Sequence, residues 1–220
     1  MPVLRLFNKN FFKKWSSDMA YILGFMYADG NVVFSKRGTH FVAIYTNDYL
    51  LLEAIRSKLA SNHKISKRVS LTGNCFRLQI GSTELFNDLS NLGLVIRKTT
   101  RMKLPEVPSE YFGDFVRGYF DGDGNVWSGI AHKTRKTKCP IIYSVFTSCS
   151  FEFLFELKNR LKMIGTKGGS LYRVKDKNCS RLLFATWDTL KLYEIMYNGK
   201  TSLELPRKRV IFEKFLKMRS

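Results

Sequence analysis

This chain states nearly the same message twice, so any fold it adopts has to be built from two related halves. Ile22-Leu23-Gly24-Phe25-Met26-Tyr27-Ala28-Asp29-Gly30 leads into Asn31-Val32, and Val116-Arg117-Gly118-Tyr119-Phe120-Asp121-Gly122-Asp123-Gly124 leads into Asn125-Val126. Each run is apolar with a helical pattern, carries a glycine, then a small residue four places on, and ends in Asp-Gly-Asn. The repetition continues downstream in the same order. Ile44-Tyr45-Thr46-Asn47 precedes a run with apolar Leu51, Leu52, Ile55 and Leu59, as Val145-Phe146-Thr147-Ser148 precedes Leu154, Leu157 and Leu161. Asn74-Cys75-Phe76-Arg77-Leu78 matches Asn178-Cys179-Ser180-Arg181-Leu182. Lys98-Thr99 running on to Leu104-Pro105 matches Lys200-Thr201 running on to Leu205-Pro206. Chance supplies one such match but not four in one order.

Each half therefore reads as helix, two strands, helix, two strands, helix, an α+β pattern of two pseudo-symmetric αββαββα repeats. In the first, helix 18–29 precedes strands near 32–36 and 41–46, helix 49–61, strands near 64–71 and 76–80, and helix 83–92. In the second, helix 109–122 precedes strands near 126–132 and 141–147, helix 151–164, strands 170–174 and 181–186, and helix 188–197. One further basic helix is expected at 204–217. The repeats span 1–98 and 110–220, and the linker 99–109, with Pro105 and Pro108, is too short to act as a flexible tether. The two halves must pack on each other.

The helix ends carry the chemistry. Gly24 and Ala28, like Gly118 and Gly122, share one helix face, where small residues let two backbones approach. A glycine inside a helix costs about 0.5–1 kcal/mol relative to alanine, so a packing reason is required. Asp29 and Asp123 fall in the last helical turn, where the macrodipole disfavours an acid. Gly30 and Gly124 suit a left-handed C-cap. Two disfavoured carboxylates brought together make sense if divalent cations neutralise them. Asp-Gly-Asn as turn chemistry alone is the weaker reading once it occurs twice. A calcium-binding EF-hand fails, because a loop starting at Asp121 puts Val126 at its glycine position and His132 at its glutamate position.

Lys plus Arg number 37 against 18 acids, a net charge of +19, and such self-repulsion is best relieved by a polyanion. The basic residues are interleaved with aromatics and strand-like segments, not gathered on one face of an amphipathic helix, so nucleic acid is a better partner than a membrane. No apolar run is long enough to suggest a membrane span, and Met1 to Trp15 lacks a signal-peptide core. Cys75, Cys139, Cys149 and Cys179 form no CxxC pair and have no His at zinc-ligand spacing, so they read as buried or free thiols of a reducing, intracellular compartment. His40, His63 and His132 form no ligand cluster in the sequence.

These residues resemble the LAGLIDADG homing endonucleases in their single-chain, two-motif form. Ile22–Gly30 and Val116–Gly124 fill the nine motif positions, and the family's αββαββα repeat covers nearly the whole chain. The resemblance implies a site-specific double-strand DNA endonuclease acting as a monomer at a long target, cutting one strand per half and leaving short 3′ overhangs. It implies that Asp29 and Asp123 are the metal-binding carboxylates, with the backbone carbonyls of Ala28 and Gly122 completing the coordination. Mg²⁺ is the implied cofactor, Mn²⁺ a substitute, and Ca²⁺ an ion that allows binding without cleavage. The antiparallel sheets of both halves are implied to form a DNA-binding saddle, joined through the two motif helices. Family members also place a lysine near each active site; Lys98 and Lys200 stand at matching points here, with Lys103 a competitor in the first half. Thr46 and Thr147 fall where the family often has a longer polar residue, a departure from its pattern. A eukaryotic source would place the protein in a mitochondrion or chloroplast, and any other source in the cytoplasm.

A β ribbon fits the major groove, and phosphate contacts position such proteins while strand side chains read bases. The candidates for DNA contact are Lys36, Arg37, Lys67, Arg68, Arg77 and Gln79 in the first half. In the second they are His132, Lys133, Arg135, Lys136, Lys138, Arg173, Lys175, Lys177 and Arg181. Arg77 and Arg181 stand out, because they recur at matching positions. The alternatives are an intron-RNA-binding maturase and a transcription regulator on the same scaffold. The intact aspartates favour cleavage over both. Ends at Met1 and Ser220, not at splice-junction residues, argue against intein splicing.

Overall fold

The computed structural model describes residues 5–35, 38–70, 73–94, 101–132, 134, 137, 139–199 and 203–219. The first half runs α1 (Ser17–Asp29), β1 (Gly30–Phe34), β2 (His40–Thr46), α2 (Tyr49–Lys58), β3 (Ile65–Ser70), β4 (Gly73–Gly81) and α3 (Thr83–Asn91). A 3-10 turn at Ser109–Tyr111 opens the second half, followed by α4 (Phe112–Asp123), β5 (Gly124–Ala131), β6 (Cys139–Ser148), α5 (Phe151–Met163), β7 (Ser170–Arg173), β8 (Ser180–Phe184) and α6 (Thr186–Tyr197). The basic helix α7 (Pro206–Arg219) follows. The duplicated order expected from the sequence is present. Serines start three of the helices, since the side chains of Ser16, Ser82 and Ser150 accept from the N–H groups of Met19, Leu85 and Phe153.

The strands form two four-stranded antiparallel sheets of identical topology, β1-β2-β4-β3 and β5-β6-β8-β7. Alternation places one face of each on the core and leaves the other open. Val42, Ile44, Leu78 and Ile80 point inward in the first sheet, as do Val126, Ile142, Phe146, Leu182 and Phe184 in the second. Register sets the equivalence between the halves. Gly30 pairs with Ile44 and Ile44 with Leu78, as Gly124 pairs with Phe146 and Phe146 with Leu182. Thr46 therefore corresponds to Ser148, and Thr147 corresponds to Tyr45. The match between Thr46 and Thr147 read from the sequence is one residue out, and in a strand one residue reverses the face.

The two motif helices make the centre of the molecule, and they touch backbone to backbone. A Cβ at Gly24 would lie 2.1 Å from the Phe115 carbonyl oxygen and 2.9 Å from the Tyr119 nitrogen. A Cβ at Gly118 would lie 2.0 Å from the Tyr21 oxygen and 2.9 Å from the Phe25 nitrogen. Phe115 and Tyr119 are the repeat equivalents of Tyr21 and Phe25, so each contact is the pseudo-twofold image of the other. Gly30 and Gly124 correct the expectation of a left-handed C-cap. Their φ values are −87° and −94°, with extended ψ. Glycine is required there for space: a Cβ would meet the Met26 oxygen at 2.5 Å in the first case and the Phe120 oxygen at 2.5 Å in the second. The helix passes straight into β1 or β5 without an intervening turn, and the aspartate stands at the junction.

Candidate active site and nucleic-acid interface

Because α1 and α4 cross this closely, their C-terminal ends deliver Asp29 and Asp123 to one place between the two sheets. Asp29 is half-buried and Asp123 exposed. The Asp29 carboxylate crosses to the partner helix, with Oδ2 3.3 Å from where a Gly122 Cβ would stand; Ala28 Cβ would be 2.3 Å from the same point. The space beside Gly122 is thus a cradle that any side chain would fill. Tyr119, buried between the helices, senses both acids: burial pushes its pKa well up, and the charges of Asp123 and Asp29 push the same way. Asp29, Gly122, Tyr45, Thr46, Asn47 and Asp48 line an open cleft of about 300 Å³, which Arg207 closes on one side through an ion pair to Asp48 at 3.0 Å.

This donor set fits a hard divalent cation. Among the described residues no cluster of three His, Cys, Asp or Glu side chains could hold a metal. The protein would supply two carboxylates and the carbonyls of Ala28 and Gly122, leaving further positions to phosphate oxygens and water, which is how Mg²⁺ is usually held. Lys98 and Lys200 lie outside the described residues. Lys103 is exposed and paired to Glu152 at 3.1 Å, which raises its pKa.

Two buried groups at this centre escaped the sequence reading. Lys208, on α7 and 6% exposed, donates to the carbonyls of Phe120, Asp121 and Gly124 at 2.6, 2.8 and 2.7 Å. It caps the C-terminal end of α4 with a positive charge, offsetting the dipole that disfavours Asp123 there. Burial lowers its pKa to about 8, with Asp121, Asp29 and Asp123 pulling it back up. Asp121 accepts from the Tyr21 hydroxyl at 2.7 Å and the Leu205 N–H at 2.9 Å. Burial raises its carboxyl to about 6. Its repeat equivalent Tyr27 ties α1 to its own half instead, donating to the Leu92 carbonyl at 2.8 Å. Basic composition hid Lys208 among exposed lysines; a lysine two residues past Leu-Pro carries no signal of its own.

Pairing registers settle which strand residues share the open faces. In the first sheet Tyr45, Arg77 and Ser66 form one row, and Asn31, Ala43 and Gln79 another. In the second, Thr147, Arg181 and Tyr172 correspond to the first row, and Asn125, Val145 and Leu183 to the second. Arg77 and Arg181 thus occupy identical places, both exposed. Arg68, opposite Cys75, shares the open face, whereas Lys67 lies opposite Phe76 and has the parity of the core side. Arg173 also has the core-side parity and stacks 5.4 Å over the Phe151 ring of α5. Lys175 and Lys177 are exposed in the β7–β8 turn, and His132 directly follows β5 with a φ of 52°. Lys36, Arg37, Lys133, Arg135, Lys136 and Lys138 lie outside the described residues. His40 and His63 serve the scaffold: His40 packs between Phe34 and Phe86, and His63 is buried with Nδ1 2.9 Å from Ser61 Oγ.

The sequence reading also passed over the aromatics of these faces. Trp127 stacks on Tyr143 across β5 and β6 at 5.1 Å, and a Cβ at Gly129 would lie 2.1 Å from the indole. That glycine lets the ring lie flat on the sheet while remaining 43% exposed. Periodicity alone could have found it, since Trp127 alternates with buried Val126.

No family model matches the chain. It is 26% identical over 218 residues to an uncharacterised protein of Methanocaldococcus jannaschii, covering 91% of this chain and 72% of that one. It is 32% identical over 120 residues to the DNA-directed RNA polymerase subunit Rpo1C of the same organism, a stretch that is 51% of this chain and 13% of that one. Among solved structures, the LAGLIDADG meganuclease I-AabMI bound to uncleaved DNA superposes with a TM-score of 0.62 at 16% identity, covering 90% of this chain and 88% of that one. The homing endonuclease I-SmaMI bound to cleaved DNA gives 0.61 at 13% identity, covering 93% and 89%. I-SmaMI bound to uncleaved DNA in the presence of calcium ions gives 0.61 at 13% identity, covering 93% and 90%. The architecture is therefore the LAGLIDADG homing endonuclease fold in its single-chain, two-repeat form.

Proposed function

We propose that this chain is a site-specific, metal-dependent DNA endonuclease that lays its two open sheet faces along a duplex and cuts both strands beneath the ends of α1 and α4. One observation carries the reading: two pseudo-symmetric helices, packed through Gly24 and Gly118, present Asp29 and Asp123 together at the midpoint between two arginine-bearing sheets. A pure binder has no physical need for two acids at helix C-termini facing a polyanion. A divalent cation, Mg²⁺ first, would supply activated water at neutral pH and charge stabilisation for the leaving 3′ oxygen. The chain's own part is positional. Lys208 holds the carbonyls around Asp123, the glycine contact fixes the spacing of the two acids, and Arg77 and Arg181 read base edges on either side. One chain carries both acids, so a monomer suffices. The neighbour crystallised with calcium and uncleaved DNA supports use of a divalent ion.

The test uses a randomised-site DNA library with either Mg²⁺ or Ca²⁺. Selective binding in both and double-strand cutting in Mg²⁺ alone is the expected result. Asp29→Asn and Asp123→Asn should each abolish double-strand cleavage and leave DNA binding within a few-fold. Loss of folding in these variants would make the aspartates structural. Cutting at no site, together with tight binding to a structured intron RNA, would replace the nuclease with the RNA-binding alternative.

A further inference from the structure

The two open faces occupy identical places in the repeat but differ in chemistry. Where the first sheet has Gln79, the second has Leu183; where the first has Ser66, the second has Tyr172; where the first has Val33, the second has Trp127. Ala43 likewise becomes the larger Val145. Asn and Arg alone are common to both rows, as Asn31 with Asn125 and Arg77 with Arg181. Leu183, Val145 and Tyr143 are half-exposed on the face that carries the stacked Trp127. Both faces carry carbon where Val33 and Phe41 answer Trp127 and Tyr143, but in the row of Asn31 and Asn125 the first adds the hydrogen-bonding Gln79 and the second the apolar Val145 and Leu183.

In a major groove the one apolar feature is the thymine C5-methyl group, whereas Gln pairs with adenine through N6 and N7, and Arg with guanine through O6 and N7. We propose that the second repeat selects its half-site through thymine methyl groups seated on Leu183, Val145 and the Trp127–Tyr143 stack, while the first repeat reads purine edges through Gln79 and Arg77. The inference rests on the reading of this chain as a DNA-binding nuclease, and it makes the target asymmetric in composition: thymine-rich contacts under one half, mixed purine contacts under the other. The Leu183 and Gln79 positions form the sharpest pair, because one place in the fold holds the two residue types that read the two members of an A·T pair.

The experiment takes the tightest DNA selected from the randomised library in Ca²⁺ and replaces thymine by deoxyuridine in one half-site at a time. Only the methyl groups are lost. Burying a carbon of that size changes an equilibrium by about fourfold, so affinity should fall about fourfold for each contacted methyl under the second repeat and less than twofold in total under the first. Leu183→Gln identifies which half-site is which: selection with this variant should move the preferred base at one position from thymine to adenine in that half alone. The variant imports the side chain that the first sheet already carries at this place, so folding is not at risk, and an unchanged thermal midpoint checks it. Equal deoxyuridine sensitivity in both halves, or a Leu183→Gln preference identical to that of the parent, overturns the proposal while leaving the nuclease reading intact. Absence of any selective DNA binding overturns both.

Discussion

At the scale of single residues, the centre of the molecule depends on a buried lysine. The Lys208 ammonium donates to the Phe120, Asp121 and Gly124 carbonyls, acceptors around a helix end of which the Phe120 carbonyl also accepts from the Gly124 N–H. Lys208→Met keeps the volume and removes the donors, which should cost about 1–3 kcal/mol at neutral pH through the unsatisfied carbonyls, read as a lower urea midpoint. The pH dependence has a definite sign. Burial lowers the folded-state pKa to about 8 from 10.5 in the open chain. Between those values the unfolded chain binds more protons than the folded one, so stability rises with pH in that window. The wild type should therefore gain on Lys208→Met between pH 8 and 10.5; a constant gap would mean that the amine titrates in the fold as it does in the open chain, and a narrowing one that the carbonyls hold it charged above its open-chain pKa. The same variant should slow cleavage beyond its effect on folding, since Asp123 then sits at an uncompensated helix end.

At the scale of elements, the α1–α4 crossing inverts an ordinary rule. Gly to Ala inside an exposed helix stabilises by about 0.5–1 kcal/mol. Here the added carbon would stand 2.1 Å (Gly24) or 2.0 Å (Gly118) from a carbonyl oxygen of the facing helix. Backbone cannot step aside as a side chain can, so Gly24→Ala and Gly118→Ala should each destabilise by at least about 3 kcal/mol, the upper range for overpacking, and lower the urea midpoint accordingly. The small-residue spacing made this crossing legible in the sequence, and the helices and strands followed from apolar periodicity to within a few residues at their ends. Other features were illegible for identifiable reasons. Gly30 and Gly124 look like helix C-caps in one dimension, but what they need is room against Met26 and Phe120, and room is a tertiary property. Thr46 and Thr147 look alike as letters, yet strand pairing sets Thr46 against Phe76 on the core side and Thr147 against Arg181 on the open side. Tyr27 and Asp121 share a repeat position but bind partners in different segments, Leu92 and Leu205, which no comparison of the two motifs alone reveals.

At the scale of the whole molecule, each half is fastened to the other by more than the central helices. Ser150 at the start of α5 donates to the Met102 carbonyl at 2.6 Å, and Glu156 accepts from the Leu104 N–H at 2.7 Å. Arg207 at the start of α7 reaches back to Asp48 at the start of α2. The segment that leaves each half thus docks on the second helix of the opposite half, and neither repeat closes its own core alone. Unfolding in urea should be one transition, coincident by tryptophan fluorescence and far-ultraviolet circular dichroism; two separated transitions would show independently stable halves. The same interlocked body carries the net charge of +19, which sets how it meets DNA. Each phosphate neutralised by a lysine or arginine releases counterions, and a duplex-binding protein with about six to ten such contacts loses roughly 10³–10⁵ in affinity between 50 and 200 mM salt. A slope of that size is expected here for selected and unselected DNA alike. Arg77→Ala and Arg181→Ala separate the two roles a basic residue can take. Both arginines lie on open strand faces, where base edges are in reach. Each substitution should leave the slope nearly unchanged and reduce discrimination at one base pair by about 1–3 kcal/mol. A slope reduced by about one unit with discrimination intact would move these arginines to the phosphate backbone, and the base-reading role would pass to Gln79 and Leu183 alone.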